Sequence, residues 1–196
     1  MRWLILSLLT ALTVATQDAW VKKYFSHLSP FDMVAYPSLY SLPLFFVTLL
    51  VAPRPALDAV FAWCLLLTLP INGVAFILHM KAIKMSPLSL TLPYLAFTPV
   101  FMILTGWIVL GETLNGWGIL GIATTCCGSY VLNLAPKQKS LAEPIESILR
   151  EPGSRLMVVV AVLYSLGAVL GKKGILHSSP LFFIVAFFVL FNSLIP

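Results

Sequence analysis

The feature that most constrains this chain is a recurrence of apolar runs about as long as a bilayer is thick. Seven are visible, at residues 3–21, 31–51, 61–80, 88–110, 114–134, 156–171 and 181–196. Crossing a hydrocarbon layer as a helix takes about 20 mostly apolar residues. No water reaches the backbone there, so each run must satisfy its N–H and C=O groups internally, as a helix does. Composition agrees. The 196 residues are 60% hydrophobic and only 10% charged, where a soluble domain carries about 25% charged residues. The sequence therefore predicts an all-α membrane protein, a polytopic bundle of about seven helices whose first partner is the lipid bilayer.

Turn chemistry separates the runs: Lys22-Lys23 through Ser29-Pro30, Pro53-Arg54-Pro55, Lys81 through Pro87, and Gly111-Glu112. Proline lacks the N–H that continues a helix and restricts the residue before it. The one long polar stretch, 135–155, holds Lys137, Lys139, Glu143, Glu146, Arg150, Glu151 and Arg155 and reads as a linker, with a short surface helix at 141–149. The net charge of +5 comes from Lys and Arg scattered between apolar runs. That is the pattern of membrane flanks, not of a nucleic-acid surface. Cys64, Cys126 and Cys127 lie inside apolar runs and show no metal-ligand spacing, so neither a metal nor another cofactor is expected. Arg2, an apolar core, Ala15 and Ala19 would permit a signal peptide, but an internal repeat argues for an ordinary span.

Slide the chain by 150 residues, and Lys22, Lys23, His27, Ser29 and Pro30 fall on Lys172, Lys173, His177, Ser179 and Pro180. Both segments read KK-xxx-H-x-SP, five identities in nine positions, and both join two apolar runs. The sixth and seventh runs thus look like a second copy of the first and second. The repeat unit holds five helices, an odd number, so the second copy enters the membrane inverted. Inverted five-helix repeats are a pattern of secondary transporters, whose halves rock around a midplane site. The second copy covers only two helices, which predicts a truncated second repeat, completed by a missing C-terminal half or by a second copy of the chain. The division expected is a first repeat at 1–134, a linker at 135–155 and the start of a second repeat at 156–196.

Particular residues carry a family resemblance. Residues 98–134 read TPVFMILTGWIVLGETLNGWGILGIATTCCGSYVLNL, with a P-V helix, an LGE turn and a Gly-rich helix in that order. Residues 17–36 read QDAWVKKYFSHLSPFDMVAY, with an Asp-x-x-x-Lys pair and an S-P-F-D segment. Together they resemble the EamA family of the drug/metabolite transporter superfamily. The resemblance implies ten helices in two five-helix halves and small polar metabolites as substrates. Many members carry an arginine where this chain has Pro37, so anion recognition by that group does not carry over.

Candidate site residues follow from polarity inside apolar runs. An ionisable residue in a membrane helix is expensive unless it faces a cavity or a partner. Asp18, beside Gln17, is the foremost case, read either as a substrate or proton site or as a partner of Lys22 one turn on. Lys22 fits the Asp-x-x-x-Lys pair, although snorkelling to the headgroups is the plainer reading of the paired lysines. Tyr36 and Tyr40 share a helix face. Pro70 with Asn72, and Pro93 and Pro99 with Tyr94 and Thr98, are expected to interrupt the third and fourth helices and mark a site or gate. His79 is read as interfacial, Asp32 as a cap and Glu112 as a turn anchor. Gly118, Gly121 and Gly128, and the Gly167-xxx-Gly171 pair, are expected to pack helices closely.

Positive charges number eight on the side holding Lys22 and four on the other, which puts the N-terminus outside, whereas the resemblance implies inside. The reading is a secondary transporter of small polar metabolites with alternating access, helices one to four around its cavity, in a bacterial-type plasma membrane. Its driving force would be a proton gradient or substrate exchange. The rival from another class is a non-transporting membrane scaffold, an assembly subunit or an inactive transporter fragment. An intramembrane enzyme is not expected, since no paired aspartates, Ser/His set or HExxH lies in the spans.

Overall fold

The computed structural model describes residues 2–133 and 151–195. Among the described residues the regular structure is helical: α1 (Arg2–Phe25), α2 (Asp32–Val51), α3 (Ala59–Met85), α4 (Leu88–Thr91), a 3-10 turn (Leu92–Phe97), α5 (Thr98–Leu110), α6 (Gly116–Asn133), α7 (Pro152–Leu176) and α8 (Pro180–Leu194). Among the described residues five stretches are long and apolar enough to cross a membrane, namely Leu4–Phe25, Asp32–Val51, Ala59–Met85, Leu88–Leu110 and Pro152–Leu176, and Pro180–Leu194 is a shorter apolar helix. Leucines and isoleucines of α1, such as Leu6, Leu8 and Leu12, stand exposed on its surface, which suits lipid as the surrounding solvent. The chain is an integral, multi-pass membrane protein. The expected helix at 141–149 and most of the linker lie outside the described residues, and the linker ends sooner than expected because Pro152 opens α7.

Helix ends obey local chemistry. Ser29 Oγ donates to Asp32 Oδ2 at 2.7 Å and accepts from the Asp32 N–H at 3.1 Å, which fixes the turn that leads into α2. Asp58 caps α3 by accepting from the Phe61 N–H at 2.9 Å. Asn115 does the same for α6 through the Gly118 N–H at 2.8 Å. Pro87 holds Ser86 extended, at φ −137° and ψ 158°, and so ends α3. α5 ends on Gly111, whose φ of 67° only glycine adopts freely.

The two KK-xxx-H-x-SP turns share backbone geometry. Leu28 N–H bonds to Phe25 C=O and Met33 N–H to Ser29 C=O; 150 residues on, Ser178 N–H bonds to Ile175 C=O and Phe183 N–H to Ser179 C=O. The helices they end run in opposite directions. α1 lies parallel to α3, with Asp18 level with His79 and Lys22 level with Ile83. α7 lies antiparallel to α3, with Gly153 against Ser86 at one end and His177 against Asp58 at the other.

Proline acts differently in the two expected breaks. The 88–110 run is interrupted, since Pro93 falls in the 3-10 turn and Pro99 in the first turn of α5, where its missing N–H is harmless. Pro70 does not interrupt anything: α3 runs unbroken through it. Polar side chains reinforce that stretch, as Thr68 Oγ1 donates to the Cys64 carbonyl at 2.6 Å and Asn72 Nδ2 to the Thr68 carbonyl at 3.0 Å.

Two apolar clusters hold the bundle. One joins α1, α2, α3 and α8 through Val21, Met33, Phe61, Met80, Phe183 and Phe187. The other joins α3, the 3-10 turn and α7 through Ile83, Tyr94, Met157 and Val160.

Candidate functional site

A cavity of about 450 Å³ opens between α1, α2, α3 and α8. Its walls are largely apolar and aromatic, including Trp20, Phe25, Met33, Phe76, Met80, Phe188 and Phe191. Four polar, uncharged side chains converge on it: Gln17 from α1, Ser38 and Ser41 from α2, and Asn192 from α8. Asn192 Nδ2 donates to Ser41 Oγ at 3.0 Å and so ties α8 to α2, while Ser38 donates to the Val34 carbonyl at 2.8 Å. An apolar chamber with a few placed polar groups is the usual form of a small-molecule site. α8, not the fourth span, completes the ring around this cavity. The 88–110 run packs on α7 instead, through the second apolar cluster.

Behind one wall lies a chain of polar groups from three helices. Asp18 is 4% exposed and His79 5%. Asp18 Oδ2 faces His79 Nε2 at 3.7 Å, and His79 Nδ1 lies 3.0 Å from the Tyr164 hydroxyl of α7. The wall residue Phe76 rests edge-on against Tyr164, at 5.7 Å between ring centres. His79 thus sits inside the bundle, not at the interface where the sequence reading put it. The Tyr164 hydroxyl partners its Nδ1, while its Nε2 faces the Asp18 carboxyl beyond hydrogen-bond range.

Lys22 does not pair with Asp18. Its Nζ donates to the carbonyls of Ile83, Lys84 and Ser86, at 2.6, 3.2 and 3.3 Å. These are orphan acceptors at the end of α3, where the helix dipole is negative and a cation is favoured. Lys84 returns the contact by donating to the Leu28 carbonyl at 2.5 Å. In the second segment Lys172 pairs with Glu112 in the open, and Lys173 reaches the Val109 carbonyl at 3.4 Å.

The remaining candidates scatter. Tyr36 and Tyr40, half and mostly exposed, line a second opening of about 380 Å³ with His27 and Asp32. It shares Val21, Phe25, Met33 and Pro37 with the first cavity. Asn72 turns back onto its own helix and borders a separate cavity of about 280 Å³ with Gly167 and Lys172. Tyr94 is buried in the second apolar cluster and stacks on Phe97, so it lines none of these cavities. Thr98, at the start of α5, lines none of them either, and Pro99 borders a fourth, of about 230 Å³, near Glu112 and Lys172.

The glycines divide. A Cβ on Gly167 would stand 2.6 Å from Asn72 Nδ2 and would push the Asn72 amide aside, whereas one on Gly171 would meet Phe183 at an ordinary 3.6 Å. Gly121 and Gly128 have nothing within 4 Å of that position, and Gly118 meets only Leu114 and Asn115 of its own turn. The small-residue face of α6 therefore packs on no other helix of the described chain.

Sequence reasoning missed His79 as an interior group, and it missed Tyr164, Ser38, Ser41 and Asn192. The signal available was their polarity within apolar runs; which of them converge depends on helix pairing.

A search of curated proteins and one of solved structures each find no match to the chain. The sequence model of the EamA-like transporter family matches residues 1–134, more than half of the sequence, from α1 to the end of α6. The membrane-crossing helices agree with that match, and the chain belongs to the EamA-like transporter family, membrane transporters of the drug/metabolite type.

Proposed function

We propose that this chain carries small, uncharged or zwitterionic polar metabolites across the bilayer by alternating access, with the 450 Å³ cavity as the substrate chamber. The observation that carries the reading is the lining of that cavity. Among the described residues no charged side chain lines it, and its polar groups come from α1, α2 and α8. Those helices belong to the two segments that share the KK-xxx-H-x-SP pattern. α1 and α7 run in opposite directions, as inverted repeats require, and motion of one repeat against the other is the usual basis of alternating access. Gln17, Ser41 and Asn192 would hydrogen-bond the polar part of the substrate. Trp20, Phe76 and Phe188 would cover its apolar part.

The test is counterflow in liposomes holding the purified full chain, using labelled pools of neutral amino acids, nucleosides and sugars. Expected is exchange of at least one pool above protein-free liposomes, reduced about tenfold by Asn192→Leu. That matches the loss of one substrate hydrogen bond of about 1.5 kcal/mol. Exchange no faster than in protein-free liposomes for every pool would sink the reading.

A further inference from the structure

We propose that Asp18, His79 and Tyr164 form a proton-binding site that takes up and releases one proton per transport cycle. The proposal rests on the transport reading for its role, but not for its chemistry. Three side chains from α1, α3 and α7 meet in the interior of the bundle, with more than nine-tenths of Asp18 and of His79 buried. Among the described residues, His79 Nε2 is a buried nitrogen without a hydrogen-bond partner. It faces the Asp18 carboxyl at 3.7 Å, about 0.5 Å beyond hydrogen-bond range.

Charge counting shows why a proton belongs there. With Asp18 ionised and His79 neutral, the pair carries one negative charge in an apolar interior, which is costly. One added proton cancels it, whether it rests on the Asp18 carboxyl or makes an imidazolium beside the carboxylate. Among the described residues no other charge facing the pair does this. Lys22, one turn along α1, spends its ammonium on the carbonyls of Ile83, Lys84 and Ser86. α7 contributes the Tyr164 hydroxyl, and the cavity walls from α2 and α8 offer only Ser38, Ser41 and Asn192 as polar groups. Tyr164 suits both states, since its hydroxyl donates to a bare Nδ1 and, turned about, accepts from a protonated one.

The site also touches what must move. Gln17 and Met80 line the cavity and are the chain neighbours of Asp18 and His79, and Phe76 stands between the cavity and Tyr164. α1 is loosely held on α3, mainly through Lys22 and the Asp18–His79 contact, whereas α7 packs closely against α3, so motion of α1 across α3 changes the distance between Asp18 and the His79–Tyr164 pair. A closed pair holds the proton, and a parted pair gives it to water.

The test reads the proton first. The full chain in lipid nanodiscs, labelled with 15N-histidine, shows three imidazoles, and His79→Gln assigns one of them. Expected is a change of His79 signals across the range where carboxyls and imidazoles titrate. Asp18→Asn should displace that change and Tyr164→Phe should alter the tautomer balance. A His79 spectrum that is constant across that range and indifferent to Asp18→Asn would overturn the site, whatever transport assays give. The second reading uses the solute pools above under an imposed pH gradient. Wild-type protein should accumulate solute about tenfold per pH unit if one proton moves with each molecule, whereas Asp18→Asn should still exchange solute but not accumulate it. Undiminished accumulation by Asp18→Asn overturns the coupling. Absence of exchange in the wild-type protein fails the transport reading alone.

Discussion

The two segments that share the KK-xxx-H-x-SP pattern are held in opposite ways. α7 is clamped: small residues bring it against α3, and Met157, Val160 and Ala161 are fully buried. α1 is draped: most of its side chains face outward, and its polar ties to α3 are Lys22 and the Asp18–His79 contact. Sequence similarity at the turns therefore fixes the shape of the turn, not the load on the helix. α7 stands behind the cavity wall, where Tyr164 meets Phe76, and α1 carries Asp18 beside the cavity. That division is what a transporter needs if one element is to move against another.

The difference between the two helices is greatest at the α3–α7 seam. A Cβ on Gly153 would lie 2.6 Å from Ser86 Oγ and 2.9 Å from the Ala82 carbonyl oxygen. The backbone oxygen cannot step aside, so Gly153→Ala should cost about 2–3 kcal/mol, the scale of overpacking. Unfolding of the purified chain in mixed micelles measures this. Gly121→Ala, which meets nothing within 4 Å, should be neutral or slightly stabilising through helix propensity. Equal destabilisation by both would mean that the seam is not where the bundle is clamped.

Next comes the lysine pair. Lys22→Met removes a partly buried cation from three helix-end carbonyls and should lose about 1–2 kcal/mol in the same assay. Lys172→Met breaks an ion pair whose side chains are both about half exposed. Such pairs contribute about 0–1 kcal/mol and fade with salt. The ratio of the two effects should therefore grow as ionic strength rises. If Lys172→Met proves the larger at any salt, the two lysines have been given the wrong roles.

Much of this architecture was legible in the sequence because membrane helices announce themselves by length and apolarity. Five of the seven expected spans, the Gly111 turn, the break at Pro93 and Pro99, and the Ser-Pro helix starts all depend on local chemistry. The site was legible only in pieces. Asp18 and Gln17 stood out as polar residues in an apolar run, but Asp18 has its partners on α3 and α7, at sequence distances no local pattern encodes. His79 looked interfacial because Lys81 follows it; two residues along a helix place Lys81 on another face, exposed, while His79 turns inward. Tyr94 and Asn72 looked like site residues because proline stood near them. Tyr94 instead fills a core and Asn72 bonds back to the Thr68 carbonyl of its own helix, so neither lines the main cavity.

The smallest expected effect lies where the clamped segment meets the start of α3. His177 Nδ1 is 2.6 Å from Asp58 Oδ2, and Asp58 also accepts from the Phe61 N–H. The Phe61 N–H foremost, and His177 after it, hold the Asp58 carboxyl below its ordinary 3.8. A carboxyl with a lowered value in the folded state stabilises that state above its unfolded value and ceases to do so as pH falls through the folded one. The α3 cap should therefore loosen only in acid below about 3.8. Hydrogen exchange at the Phe61 amide reads this directly, and should quicken there relative to the Phe182 amide of α8, whose cap is the hydroxyl of Ser179 and does not titrate. Asp58→Asn keeps an oxygen to cap Phe61 and should erase the acid dependence without unwinding the turn. If the Phe61 amide of Asp58→Asn still quickened in acid, the loosening would begin elsewhere in α3, and the Asp58–His177 contact would be an incidental surface pair.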